Sequence, residues 1–376
     1  MLTKYLVALF LATSPVWCQP QVIATGLPGA HKIILTPGGN FLVSEPSTTP
    51  NAGRVSFVTR SGARRSLLEG LPSGIEVTLA GASGPSAMAI RGRTLYLAFG
   101  AGDAERRGTP PTSIHNPQGA SSPIFASILE FRFNLDPDSI AGTFRLTLPH
   151  QQTLADGGEV ELADGNGGTA RISLLARFPV SEPAPNILYR FSNPWGLALT
   201  EDGRSLYVTD ASVNSLSKVD TATGRWRRLA RFPPVSNSTP VGPPVIDAVP
   251  TSLRLYGDQV LVSFLTGFPF VPGNARILAV NPDAGASEPF IFGLNSATDV
   301  LWRSLPDGGS QFFVLEFSTN QGATPPPPGR LLRFDAAGTR VVAAPLITPV
   351  SMVYDEATQE LFILELRGQI LRLRLD

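Results

Sequence analysis

Cysteine is nearly missing from this chain. A single Cys18 stands near the start of 376 residues, so no internal disulfide can form and stability must come from burial. Net charge is missing as well. Thirty Lys and Arg cancel thirty Asp and Glu without a basic stripe, which removes the electrostatic footprint of nucleic-acid binding. The sequence has no G-x-S-x-G elbow, Walker loop, Rossmann fingerprint, H-E-x-x-H or C-x-x-C. Histidine is limited to three positions, His31, His115 and His150. The longest apolar stretch, Tyr5 to Ala12, is too short to span a bilayer. It follows one Lys and precedes a polar segment with Ser14 and Pro15, the layout of a secretory leader cut near Cys18. A lipid anchor on Cys18 is the competing reading, but Pro15 and Trp17 fit a lipobox poorly. The expected destination is therefore secreted or periplasmic.

What the chain does have is turn-forming residues and apolar runs. Gly (36) and Pro (35) are spread throughout, and 43% of residues are apolar, which suits many short strands around a large core. NPWGLALTEDGRSLYVTD, residues 193–210, aligns without gaps to PGAHKIILTPGGNFLVSE, residues 28–45. Near copies begin at Gly84, Val249, Ser296 and Thr348. Each is an apolar run, a Gly or Asp turn and a second run with period-two alternation, the pattern of a β-hairpin. A third strand follows each hairpin: GRVSFV, ASILEF, NSLSKV, ARILAV, GRLLRF and GQILRL. A fourth follows the first five: RRSLLEGLP, TFRLTLP, RWRRLARF, EPFIFGLN and RVVAAPL. The sixth unit lacks one, and QVIATGLPGA from Gln21 has the matching pattern. The reading is all-β: a six-bladed β-propeller, residues 19–376, whose N-terminal strand closes the last blade. An open β-solenoid is the alternative. Inserted loops and an extra hairpin are expected at about residues 100–192, the hairpin joining EVEL to ARISLL.

Antiparallel blades place the connections of strand four to strand one, and of strand two to strand three, on one face. There the spacing predicts long loops at Gly100–Ala126, Pro149–Ser192, Pro233–Val249, Leu265–Ala275 and Phe317–Gly329, whereas turns on the other face read as brief. Long loops on a rigid frame gather function. The binding face is thus read as His31, Asn193, Trp195, Thr266, Phe268, Phe270 and Asp299. The second strands end in Glu45, Phe99, Asp210, Phe264, Glu316 and Glu365. The four acids could ligate a calcium ion, which accepts six to eight oxygens. Their recurrence instead suggests a structural stitch, each acid taking hydrogen bonds from loop amides of its own blade. His31 could serve as a base or ligand, or simply pack.

SNPWGLALTEDGRSLYVTDASVNSLSKVD, the stretch TGFPFVPGNAR at Thr266–Arg276 and the strand starts at Pro194 and Pro250 resemble the ScyD/ScyE family of secreted propellers, within a wider NHL- and SMP-30-like group. The resemblance covers most of the chain after the leader and departs between Gly100 and Ser192. It implies an exported protein linked by genome context to scytonemin pigment assembly, and it supplies no catalytic residues. The functional expectation is an extracytoplasmic binding or accessory protein, expected to be a monomer. It would hold a small molecule, glycan or protein at the long-loop face. The alternative is a calcium-dependent lactonase-type hydrolase resembling SMP-30 and gluconolactonase. A PQQ-type sugar dehydrogenase fits less well, since only His31 is placed to act as its base.

Overall fold

The computed structural model describes residues 19–76, 81–109, 112–184 and 187–375. The expected leader and Cys18 lie outside them. Strands dominate, and no helix among the described residues is long and apolar enough to cross a membrane.

The hairpins read from the sequence are present, and each grows into an antiparallel sheet; in the first, third, fourth and fifth, four strands follow one another along the chain. In the first sheet the order is Lys32–Leu35, Phe41–Glu45, Gly53–Val58 and Arg64–Leu71. The innermost strands of the next five sheets are Pro85–Arg91, Pro194–Leu199, Pro250–Tyr256, Ala297–Ser304 and Pro349–Asp355. Each innermost strand lies beside the next in turn, and Pro349–Asp355 lies beside Lys32–Leu35. In the sixth sheet the outer strand is Gln21–Ala24, paired antiparallel with Gln369–Arg374. This is a β-propeller type of arrangement, in which sheets stand around an axis rather than stacking in two layers.

The alternation explains the packing. Successive side chains on a strand point to opposite faces, so both faces of every sheet need a partner. Neighbouring sheets supply it. Leu42, Phe57 and Leu68 of the first sheet pack on Leu97, Phe99 and Phe131 of the second. Leu301 and Phe313 of the fifth meet Met352 and Ile363 of the sixth. Between the sixth and the first, Phe362, Leu364 and Ile370 meet Ile33, Phe41 and Val43.

One expected strand is elsewhere. TFRLTLP is not the outer strand of the second sheet: Phe144–Arg145 pairs in parallel with Arg64–Leu71, on the outside of the first sheet. The fourth strand of the second sheet is Thr169–Arg177, with Val160–Ala163 beyond it as a fifth. Burial decides this, because Phe144 and Leu146 drop into the wedge between the outer edges of the two sheets. The segment 134–168 therefore joins strands three and four of the second sheet, so the turns of that face are not all brief. It carries a helix, Leu148–Ala155, started by Thr147, whose hydroxyl caps the His150 amide while the His150 ring accepts from the Thr147 amide. Leu154 and Gln151 anchor the helix, Gln151 donating to the Gly70 carbonyl at 3.1 Å. The connection expected over Pro149–Ser192 accordingly shrinks to residues 178–193, and its strands join a sheet absent from the sequence reading. In that sheet Glu105–Arg107 pairs with Ser113–His115, Ser113–His115 with Leu188–Phe191, and Leu188–Phe191 with Ser181–Ala184.

Candidate functional site

Each second strand ends at the residue the repeat marks: Glu45, Phe99, Asp210, Phe264, Glu316 and Glu365. All six are buried. Asp210 accepts from the Ser192 hydroxyl and from the amides of Asn193 (2.9 Å), Val213 (3.1 Å) and Ser212 (3.2 Å). Glu316 takes the Asn295 amide at 2.6 Å and the Arg330 guanidinium at 2.5 Å. Glu365 takes the Ile347 amide at 2.5 Å. Glu45 instead accepts from Arg54 at 2.7 Å and from the Ser56 hydroxyl. Three of the four therefore fasten the loop that leads into their own innermost strand. Burial raises the pKa of Asp210 and of Glu365, and in each these donors offset part of the rise. Among the described residues no group of three or more His, Cys, Asp or Glu is gathered as a cation site, and the acids stand in four different sheets.

The first turn of the innermost strands is irregular. In the third sheet the register slips between Pro194 and Gly196, leaving Trp195 as an unpaired bulge residue turned into the long-loop face. Gly196 permits this: a Cβ there would come within 2.6 Å of both the Thr251 carbonyl and the Thr209 hydroxyl. Beside Trp195 the face opens into a cavity of about 380 Å³. Its walls include Tyr189, Phe191, Trp195, Phe268 and Phe270, and its polar lining includes Asn193, Thr266, Glu105 and Asp247.

The loop bearing Thr266, Phe268 and Phe270 is held by its backbone. Leu265 N–H donates to Val249 O at 3.0 Å and Gly267 N–H to Asp247 O at 2.9 Å. Asp247 receives Arg190 through both oxygens, at 3.0 and 2.6 Å, tying the extra sheet to the rim of the fourth sheet. Glu105 is buried and accepts from the Ser113 hydroxyl; burial pushes its pKa up, with Ser113 and Arg107 opposing. His31 is buried with its ring 4.7 Å from that of Trp195, and burial holds its pKa down at about 4, so it is a neutral imidazole at ordinary pH.

Five of the seven residues read as the binding face thus line one cavity, and His31 backs it through Trp195. Asp299 stands apart. It is fully buried on the propeller axis side of the fifth sheet, between Lys32 (3.5 Å) and Arg254 (3.1 Å). It also accepts the Met352 amide at 2.9 Å. Burial alone would raise its pKa, but Arg254, Lys32 and the hydrogen bonds from Ser252 and Met352 together outweigh burial and hold it low. Burial lowers Lys32 to about 8, against the opposing pull of Asp299. His115 packs edge-on to Tyr189 and Phe191, and His150 serves the helix cap.

The sequence reading missed Tyr189, Phe191, Glu105 and Arg190. The alternation LYRF directly before the opening repeat was a signal for the first two; nothing local marks Glu105.

Lys32 carries a pH prediction. Its folded pKa, about 8, lies below the unfolded value of 10.5, so the unfolded state binds more protons between those values. Stability from this group should therefore rise as pH goes from 8 to 10, by up to about 3 kcal/mol. Urea melts of Lys32→Met should lose that rise relative to the parent chain. Parallel pH profiles for the two proteins would refute the assignment.

No family model and no curated protein matches the chain. Solved structures do. An auxiliary nutrient binding protein from Bacteroides thetaiotaomicron is similar at 10% identity and TM-score 0.51, over 92% of this chain and 69% of that one. A glucose dehydrogenase is similar at 14% identity and TM-score 0.50, over 95% of this chain and 100% of that one. A Bacteroides thetaiotaomicron protein of unknown function is similar at 11% identity and TM-score 0.51, over 95% and 72%. At these identities the likeness shows the fold alone, and that fold is of β-propeller type.

Proposed function

We propose that the chain is an exported six-bladed propeller of ScyD/ScyE type, closed by its N-terminal strand, that binds a small molecule in the cavity of its long-loop face. It would act outside the cytoplasm as a binding or accessory protein. The observation that carries this reading is the cavity itself. Aromatic walls enclose about 380 Å³, a few polar groups converge on it, and its loops are pinned by backbone hydrogen bonds. The nutrient binding protein among the similar structures agrees with such a role. Export rests on the leader-like start of the sequence. The lactonase-type alternative needs oxygen ligands converging on calcium, and the four terminal acids are each engaged within their own sheets instead.

The test uses a neutral aromatic probe, N-phenyl-1-naphthylamine. Its fluorescence should rise saturably with one site per chain, and Trp195→Ala with Phe268→Ala should weaken binding at least tenfold. Binding that is absent, or equal in the double variant, would overturn the reading.

A further inference from the structure

The outer edges of the first and fourth sheets are built alike and covered differently. In the first, Val55 registers with Leu68 and Gly53 with Leu71; in the fourth, Ile277 registers with Ile291 and Ala275 with Leu294. Leu68-Glu69-Gly70-Leu71 therefore matches Ile291-Phe292-Gly293-Leu294, and both glycines have φ +70°. On the first sheet the segment Phe144–Arg145 adds itself in parallel to this edge. Leu146 N–H donates to Glu69 O at 2.9 Å, Arg145 meets the Glu69 carboxylate at 2.6 Å, and Phe144 and Leu146 fill the wedge toward the second sheet. A Cβ on Gly70 would come within 2.0 Å of the Leu146 carbonyl oxygen, so the glycine makes room for the added chain. At Gly293 the same Cβ would meet nothing within 4 Å among the described residues. Ser287–Leu294 is the last strand of its sheet, and its outer backbone groups pair with no other strand among the described residues.

A second observation comes from the turns between third and fourth strands. In the first, third and fourth sheets the glycine of that turn packs on the preceding sheet. A Cβ on Gly62, Gly224 or Gly285 would come within 2.1 Å of the carbonyl oxygen of Ile23, Leu175 or Leu229. At the matching Gly338 of the fifth sheet it would meet nothing within 4 Å. There the fourth and fifth sheets stand apart over a groove of about 540 Å³, walled by Phe290, Ile291, Phe292, Phe312 and Phe334. Phe292, in the place of Glu69, is 58% exposed. The groove lining and its edge strand carry one charge each, both acidic. Asp335 in the lining is held by Gln311 and Arg333. Glu288 on the strand accepts from Gln259 at 3.0 Å and forms no ion pair among the described residues.

We propose that this edge receives an extended strand of another protein, added in parallel to Ser287–Leu294 as Phe144–Arg145 is added to the first sheet. The match sets its chemistry. The residue opposite Ile291 and the one two positions on are large and apolar and enter the groove. The residue between them, opposite Phe292, is apolar where the first sheet receives Arg145. A basic residue precedes them and faces Glu288. This site is separate from the cavity of the long-loop face and does not rest on it.

The probe is a fluorescein-labelled peptide of residues 141–147 carrying Arg145→Leu, with two lysines added before it; its comparator keeps Arg145. Polarisation gives the affinity, and amide hydrogen exchange of residues 287–294 gives the place. The Arg145→Leu peptide should bind at least tenfold more tightly than the comparator and slow exchange over residues 290–294. Phe292→Glu rebuilds the edge of the first sheet and should reverse the preference. Gly293→Asn suits the left-handed backbone but fills the space of the incoming carbonyl, so it should weaken binding at least tenfold. Exchange that no peptide slows, or a preference that Phe292→Glu leaves unchanged, overturns the proposal. So does a native chain that is dimeric and becomes monomeric with Phe292→Glu, because the edge is then held by a second copy.

Discussion

Replacing Asp299 with alanine will lower the unfolding free energy by about 3–5 kcal/mol, the range for breaking a buried ion pair from one side. The carboxylate sits on the fifth sheet and reaches three others: Lys32 on the first, Arg254 on the fourth, and the Ser351 hydroxyl and Met352 amide on the sixth. Removing it leaves Lys32, 5% exposed, without its counter-charge and the Met352 N–H without an acceptor. Asp299→Asn keeps a hydrogen-bonding group and should cost less. Adding Lys32→Met to Asp299→Ala should restore at least about 1 kcal/mol, since it withdraws the orphaned charge. The pH sign follows from the lowered pKa. The contribution of Asp299 is in place above the ordinary aspartate value of 3.8 and is lost as pH falls through the lower folded value. Denaturant melts of the four proteins at pH 7 and in acid check all of this. An alanine variant within about 0.5 kcal/mol of the parent would refute the axial tie.

That cluster marks where sequence reading stops. The hairpins were legible because they are local: period-two runs and Gly turns put the second-strand ends at Glu45, Asp210, Glu316 and Glu365 without knowledge of the rest. The loop-side cavity was legible in outline for the same reason, since Asn193, Thr266, Phe268 and Phe270 fall on connections, and Trp195 at a strand start, whose face follows from strand direction. Asp299 was assigned to that face because it begins a strand. Its actual partners lie 267 and 45 residues away, and no pattern in a single sequence joins Lys32, Arg254 and Asp299. The misplaced fourth strand is a different case. LARFP occurs at residues 175–179 and again at 229–233, ending the fourth strand region of both the second and third sheets. The signal was present and TFRLTLP, with a similar alternation, masked it. Phe144 shows why: an apolar alternation reports burial, and a wedge between two sheets buries a segment as well as a sheet does.

Deleting residues 19–27 should have the second large effect, because they form the seam at which the last sheet meets the first. Gln21, Val22 and Ala24 register against Arg372, Leu371 and Ile370, and the Leu27 amide donates to Gly368 at 3.2 Å. Leu27 is fully buried beside Ile33, Phe41, Phe362 and Ile370. Its burial contributes about 1.5–3 kcal/mol, and the lost ladder bonds add about 1 kcal/mol each. The sum, about 5 kcal/mol, is comparable to the whole stability of a marginal protein. The deletion also bares Gln369–Arg374 as an edge strand with unpaired backbone groups, a template for pairing with another copy. The truncated chain is therefore expected to melt at least 10 °C lower and to self-associate in light scattering. A peptide of residues 19–29 supplied in trans should reverse both changes by filling the vacant edge. The deletion removes no residue that lines the cavity, so loss of probe binding in the truncated chain would report a loss of packing that reaches beyond the sixth sheet. A truncated chain that stays monomeric and melts with the parent would mean that the outer strand only covers the sixth sheet and closes nothing.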